Sequence, residues 1–112
     1  MNLSALFYLL KWLSFFSFAI NTERMDPLQK NFLSGKVLFF QNCNVCHKKG
    51  ENLIIREKSL EKTRLDLNGL NSIESISYQI KNGKNGMPAF GDQFTEEEIK
   101  KISEYILFSN EF

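Results

Sequence analysis

The sequence predicts an all-α fold of three to four short helices with long loops that wrap a bound group. Apolar residues recur at helical spacing in two segments, and no run alternates for long as a strand would. Long loops are unusual in a domain this small unless they wrap something. The 112 residues carry 14 Lys+Arg and 13 Asp+Glu. This composition predicts one small domain and excludes a general nucleic-acid binder, which would carry a large basic excess.

An apolar segment opens the chain, since residues 3–20 hold a single charge, Lys11. The apolar run after Lys11 has the length of a signal peptide, and Ser17-Phe18-Ala19 fits a small-x-small cleavage site. We therefore predict a signal peptide at residues 1–19, with cleavage between 19 and 25. The alternative is an uncleaved anchor, which Lys11 disfavours because a charge near the centre of a span costs roughly 2.5–3.5 kcal/mol.

The remainder divides into a short lead-in and one working domain. Residues 20–30 are polar, contain Pro27 and are predicted to be mobile. Residues 31–112 are predicted to form the exported domain, without stable membrane insertion. Its first helix is expected from Asn31 to Asn42, where Gly35 would serve close contact between helices.

Two later helices are predicted from capping signals, with a weaker helical turn expected around residues 59–67. Asn71 and Glu74 form a start resembling a capping box for a helix that ends at about Lys81. Thr95 and Glu98 form a second box, which opens a helix to about Ser109. Each helix has apolar residues at helical spacing: Ile73, Ile76 and Ile80 in the first, and Ile99, Ile102, Tyr105 and Ile106 in the second.

Residues 43–58 show no clear period and are predicted to be a loop around the two cysteines. Cys43, Cys46 and His47 form the CxxCH pattern that attaches a c-type haem. Two thiols one helical turn apart can each add to a vinyl group of the porphyrin, and the adjacent imidazole can ligate the iron. The alternatives are a thiol–disulfide pair, which expects a βαβ context, and half of a four-ligand zinc site.

The second axial ligand is predicted by elimination, because the chain has no other histidine. Met1 lies in the predicted signal peptide and Met25 in the lead-in, which leaves Met87 in a Gly-rich loop. Pro88 biases Met87 towards an extended backbone, so that its thioether can project. Ligation by His47 and Met87 fills both axial positions, which predicts an electron carrier rather than an enzyme.

The motifs together resemble cytochrome c6, also called the cytochrome c553 type, within the class I c-type cytochromes. QNCNVCHKKGEN, KSL, SYQIKNGKNGMPAFGD and TEEEIKKISEYI carry the resemblance over about residues 31–109. It implies the class I fold and one covalently bound haem c. It also implies thioether bonds at Cys43 and Cys46, with axial ligation by His47 and Met87.

The resemblance implies three further residues near the haem. Gln79 matches a glutamine that tunes the potential, Lys58 a lysine near a propionate, and Asn52 a neighbouring loop asparagine. The alternative is that Lys58 is a solvated surface charge and Gln79 an ordinary exposed helix residue. The resemblance also places Gly35 and Phe39 of the first helix against the last helix, with Tyr105 as the matching aromatic.

The implied role is transfer of electrons from cytochrome f of the cytochrome b6f complex to photosystem I, through transient complexes of a monomer. The implied location is the thylakoid lumen of a plastid, or the lumen or periplasm of a cyanobacterium. Two departures stand out: Gln93 replaces a basic residue associated with docking, and the end, SNEF, lacks a common tryptophan. The alternatives are a respiratory class I cytochrome that serves a terminal oxidase, tethered or free, and a thiol oxidoreductase.

Overall fold

A computed structural model describes residues 3–20 and 25–112, without the side chains of residues 12–20. The chain divides into two compact units, Met1–Lys30 and Asn31–Phe112. In the first unit, helix α1 spans Leu3–Ile20. Most of the predicted cleavage region lies outside the described residues. Within the described part of the chain, no helix is long and apolar enough to cross a membrane.

The second unit is built from short helices and turns. Helix α2 begins in the first unit and spans Pro27–Asn42. The helices that follow are α3 (Asn44–His47), α4 (Lys62–Leu67), α5 (Ile73–Asn82) and α6 (Glu96–Phe108), with 3-10 turns at Lys48–Gly50 and Arg56–Lys58. The described residues contain no strand, only an isolated bridge between Lys84 and Met87. The predicted all-α fold is confirmed.

Two helix starts differ from prediction for local reasons. Helix α2 begins at Pro27 rather than Asn31, because the fixed backbone of proline suits the first helical position. Asp26 supports this start by accepting a hydrogen bond from the amide of Leu28 at 3.4 Å. Helix α5 is capped by Ser72 rather than Asn71. The Ser72 hydroxyl accepts from the Ser75 amide, and the Ser75 hydroxyl accepts from the Ser72 amide.

The segment after the first cysteine is more ordered than predicted. Residues 43–58 contain helix α3 and both 3-10 turns instead of an uninterrupted loop. The sequence does not predict these turns, because a turn of three or four residues is too short to show an apolar period. The helical turn expected around residues 59–67 is present as α4, which begins at Lys62.

The start and buried face of α6 agree with the sequence. Thr95 Oγ1 accepts from the Glu98 amide at 3.2 Å, and Glu98 Oε2 accepts from the Thr95 amide at 2.8 Å. The four apolar residues predicted for one face are all buried, with Ile102 and Tyr105 at most 1% exposed. A hydrogen bond of 2.9 Å between the hydroxyls of Ser77 and Ser103 joins α5 to α6.

Helix α2 crosses α6 at Gly35, which has no side chain and so lets the two helices approach closely. A Cβ atom at Gly35 would overlap the carbonyl oxygen of Lys101 and lie 3.2 Å from the Cβ of Tyr105. One turn later, the fully buried Phe39 packs on Tyr105 with 5.3 Å between ring centroids. The predicted role of Gly35 in close helix contact is confirmed. This crossing fixes the end of α2, where the cysteine motif begins.

Candidate haem-binding site

A cavity of about 340 Å³ lies between the end of α2, helices α3 to α6 and the loop before Pro88. Its walls include buried apolar side chains, among them Leu65, Ile76 and Ile80. All seven residues predicted for the site line this one cavity: Cys43, Cys46, Asn52, Lys58, Gln79, His47 and Met87. Apolar walls with a few convergent polar groups are typical of a cofactor site.

The end of α2 and the single turn of α3 hold the two cysteines. The amide of Cys43 donates to the carbonyl of Phe39 at 2.8 Å, and the amide of Cys46 donates to the carbonyl of Cys43 at 3.2 Å. Both thiols are free and half-buried. Burial, and secondarily the charge of Cys46, raises the pKa of Cys43 to about 11. A redox thiol usually has a lowered pKa, so this environment does not favour thiol–disulfide chemistry.

His47 is oriented by two backbone hydrogen bonds. Its amide donates to the carbonyl of Cys43 at 2.9 Å, and its ring Nδ1 lies 3.0 Å from the carbonyl oxygen of Glu51. Because a carbonyl only accepts, Nδ1 carries the proton and Nε2 keeps a free lone pair. Burial lowers the pKa of His47, and the bond to Glu51 opposes that effect. A pKa lowered from 6.5 favours the neutral imidazole at neutral pH, which is the form that binds iron.

Met87 is held by a tight turn in the loop between α5 and α6. The amide of Lys84 donates to the carbonyl of Met87 at 3.1 Å, and the amide of Met87 donates to the carbonyl of Lys84 at 3.0 Å. Asn85, in the middle of this turn, has a φ of +54°. The amide Nε2 of Gln79 lies 3.9 Å from the Met87 sulfur, so α5 also positions this side chain.

Gly83 allows the Met87 segment to fold back against the end of α5. Its φ is +67°, and a Cβ atom there would lie 2.6 Å from the carbonyl oxygen of Met87 and 2.7 Å from the amide nitrogen of Ala89. Any other residue would be strained by the positive φ and would also clash with these backbone atoms. The position of the thioether therefore depends on a glycine four residues before it.

Asn52 and Lys58 belong to a polar cluster on the same cavity. Asn52 Oδ1 accepts from the amides of Ile54 and Ile55 at 2.9 and 2.8 Å, and its Nδ2 donates to the carbonyl of Lys58 at 3.3 Å. The ammonium of Lys58 donates to Oδ1 of Asn68. Lys58 and Gln79 are both half-buried, so neither is a fully solvated residue.

Asn68 is a lining residue that the sequence reasoning missed. Its Nδ2 donates to the carbonyls of Glu57 and Arg64, at 3.1 and 2.8 Å, so it ties the second 3-10 turn to α4. The available signal was an asparagine followed by Gly69 at the end of a weak helix, which is typical of a helix end. That signal predicts a cap but not a contact with Lys58.

The donor set fits a covalently attached haem. Two thiols about one helical turn apart, a neutral imidazole directly after them and a thioether from a separate loop all face one largely apolar cavity. Half-buried Lys58 adds a positive charge to the lining, which suits the carboxylates of a haem. Each ligand type required by a c-type cytochrome is present among these residues.

Comparisons with known proteins agree with this chemistry. Residues 30–106 match the family model described as cytochrome C oxidase, cbb3-type, subunit III. Cytochrome c6 of Bumilleriopsis filiformis is 42% identical over 78 residues, which cover 70% of this chain and 91% of that relative. Cytochrome c6 of Gracilaria tenuistipitata var. liui is 44% identical over 78 residues, covering 70% and 72%.

A solved structure shows the same fold. The crystal structure of cytochrome c6 from the diatom Phaeodactylum tricornutum superposes with a TM-score of 0.65 and 44% identity, covering 68% of this chain and 90% of that one. The predicted class I c-type fold is confirmed by this match. The chain belongs to the cytochrome c6 family, the electron carriers that bind a covalently attached haem c.

Proposed function

We propose that this protein carries one electron at a time on a haem held by four of its side chains. Cys43 and Cys46 form the two thioether bonds, while His47 and Met87 provide the axial ligands. In each thioether, the cysteine sulfur would bond to one vinyl carbon and the thiol hydrogen would go to the other. The observation that carries the proposal is the shared cavity, which all four side chains line.

His47 and Met87, the two proposed axial ligands, would occupy both positions on the iron at which a substrate could bind. When bound, the haem supplies one-electron cycling between ferrous and ferric iron. The Nδ1 bond of His47 to Glu51 fixes the tautomer that presents Nε2. The turn from Lys84 to Met87 holds the thioether in place. With both positions filled, no open position would remain on the metal for a substrate, which suits a group that only gains and loses electrons.

Three polar residues adjust this site. Lys58 neutralises a haem propionate, and Asn52 holds the backbone that carries Lys58. Gln79 directs an amide hydrogen at the Met87 sulfur. The buried apolar walls of the cavity would limit water around a bound haem, which would disfavour the more highly charged oxidised state and raise the reduction potential.

The proposed pathway is transfer from cytochrome f of the cytochrome b6f complex to photosystem I in the thylakoid lumen. The similarity to algal and diatom cytochromes c6 supports it. The N-terminal segment is proposed to be a signal peptide that exports the domain. A formal net charge of +1 suits weak, transient complexes of a monomer. Gln93, which is exposed, is expected to weaken docking on photosystem I.

A haem-stained denaturing gel tests the attachment residues. The full chain is produced with the machinery that matures c-type cytochromes. We expect the wild type to stain and the double variant Cys43→Ala/Cys46→Ala to lose the stain. Val45→Ala is the matched control, because Val45 lies between the cysteines and is 77% exposed. Free thiols without covalent haem in the wild type would overturn the proposal in favour of a thiol oxidoreductase.

Electron-transfer kinetics test the pathway. We expect reduction by purified cytochrome f and oxidation by photosystem I. The second candidate is a respiratory carrier, which the description of the matching family model favours. Slow reaction with cytochrome f, together with fast oxidation by a terminal oxidase, would overturn the photosynthetic pathway while leaving the haem site unaffected.

A further inference from the structure

The last residues of the chain fold back onto the core. The hydroxyl of Tyr105 donates to the carbonyl of Glu111 at 3.1 Å, and the Ser109 hydroxyl also bonds to that carbonyl. These bonds place the ring of Phe112 against Phe39 and Tyr105, with 5.5 and 5.8 Å between ring centroids. Phe39, Tyr105 and Phe112 therefore form an aromatic cluster at the α2–α6 contact.

The Phe112 ring also covers Gly50. A Cβ atom at Gly50 would lie 2.7 Å from Cδ2 of Phe112, so the ring packs directly on this buried glycine. The Gly50 carbonyl accepts from the amide of Leu60 at 2.7 Å. Phe112 and Leu60 thus hold Gly50 through two separate contacts.

The residue after Gly50 carries the hydrogen-bond acceptor of the histidine. The carbonyl oxygen of Glu51 lies 3.0 Å from Nδ1 of His47, and the amide of Glu51 donates to the carbonyl of Lys48 at 3.1 Å. Glu51 itself is exposed. Its carbonyl is therefore positioned mainly by the backbone on either side, and Phe112 packs on the residue immediately before it.

We propose that Phe112 is a positioning residue for the haem ligand His47. By packing on Gly50, it holds the Glu51 carbonyl where it accepts the Nδ1 hydrogen of the imidazole. That bond makes the imidazole a stronger electron donor, which stabilises ferric iron and lowers the reduction potential. The inference depends on the proposed ligation of iron by His47, and it gives the chain's last aromatic residue a part in setting the potential.

A second aromatic residue provides a matched control. Phe32 packs on Tyr105 with 5.3 Å between ring centroids and is half-buried. It belongs to the same aromatic cluster, but the close neighbours of Gly50 are atoms of Phe112. Removing either ring takes an aromatic side chain from the core. Only removal of Phe112 is expected to disturb the backbone next to His47.

The test compares Phe112→Ala, Phe112→Trp and Phe32→Ala in the full-length protein with its haem attached. NMR of the ferric form measures how fast the His47 Nδ1 hydrogen exchanges with solvent, and how fast the backbone amide hydrogen of the buried Ile102 does so. The exchange ratio is the first rate divided by the second. We expect Phe112→Ala to raise this ratio about tenfold, which corresponds to about 1.4 kcal/mol of local stability. Its reduction potential rises, whereas Phe112→Trp and Phe32→Ala keep the wild-type ratio and potential.

The outcomes separate this inference from the proposed function. An unchanged exchange ratio and potential in Phe112→Ala, with haem attached, would overturn the inference and leave the haem site standing. Equal changes in Phe112→Ala and Phe32→Ala would also overturn it, because they indicate general loss of packing. Absence of covalent haem in the wild type would instead contradict the proposed function. If Phe112→Ala does not fold, Phe112→Leu provides the same comparison with a smaller loss of volume.

Discussion

The side-chain amide of Gln79 approaches the sulfur of Met87, with 3.9 Å between Nε2 and Sδ. In the proposed site, an amide hydrogen directed at the ligand sulfur withdraws electron density from it and favours ferrous iron. We therefore expect Gln79→Leu to lower the reduction potential while the haem stays bound. Redox titration measures this. Tyr78→Leu, one residue away and 72% exposed in the wild type, should leave the potential unchanged, and an equal decrease in both variants would contradict a specific role for Gln79.

Replacing Gly83 should displace Met87 without destroying the fold. An alanine at a φ of +67° costs about 1–3 kcal/mol in backbone strain, and its Cβ would meet the Met87 carbonyl. We expect Gly83→Ala to weaken or lose the absorption band typical of methionine-ligated ferric haem. Gly86→Ala is the control in the same loop, because its Cβ would meet only the side chain of Ile54, at 3.4 Å. A normal band in Gly83→Ala would show that the turn does not hold the ligand.

Replacing Gly35 should reduce the stability of the whole domain. The added Cβ would lie 2.6 Å from the carbonyl carbon of Lys101, so α2 and α6 must separate. Overpacking of this kind costs typically about 1–3 kcal/mol. Urea unfolding of Gly35→Ala should show a lower midpoint than the wild type. Lys36→Ala changes an exposed neighbour on the same helix and should be close to neutral; equal midpoints for the two variants would refute the close contact.

The first turn of α6 should contribute to stability in a pH-dependent way. A hydrogen bond from Lys101 and its positive charge lower the pKa of the exposed Glu97, with 2.7 Å between Lys101 Nζ and Glu97 Oε1. A carboxylate with a lowered pKa stabilises the fold above its unfolded pKa of 4.5, and this contribution is lost as pH falls through the lower folded value.

Glu97→Gln should therefore slightly reduce the free energy of unfolding at pH 7. It should also make the fall of this free energy towards acid pH less steep. Thermal unfolding across the acid range measures both effects. In a Lys101→Gln background, Glu97→Gln should change the profile much less, because the partner is absent. An undiminished effect in that background would assign the pKa shift to another cause.

Much of the fold was predictable because its signals are local in sequence. The capping box of Thr95 and Glu98, the buried isoleucines of α6 and the glycine at the helix crossing follow from spacing and residue type alone. The choice of Ser72 over Asn71 was not predictable, since both residues cap helices well. It depends on Ser75, whose hydroxyl returns the hydrogen bond.

Contacts between distant segments account for what the sequence could not reveal. Lys58 meets Asn68 only because the second 3-10 turn packs against α4. Phe112 occupies the aromatic cluster although the C-terminal sequence shows no helical period. The seven predicted site residues line one cavity. The CxxCH motif predicted Cys43, Cys46 and His47 and elimination predicted Met87, whereas Asn52, Lys58 and Gln79 were implied by the resemblance to cytochrome c6.

The reduction potential of Met87→His, measured by redox titration beside the wild type, tests the proposed ligation of iron by Met87 most directly. We expect the variant to keep its covalent haem, because both cysteines are intact. Its potential should fall, because imidazole stabilises ferric iron better than a thioether does. A variant that retains the full wild-type potential would contradict the assignment of Met87 as the axial ligand.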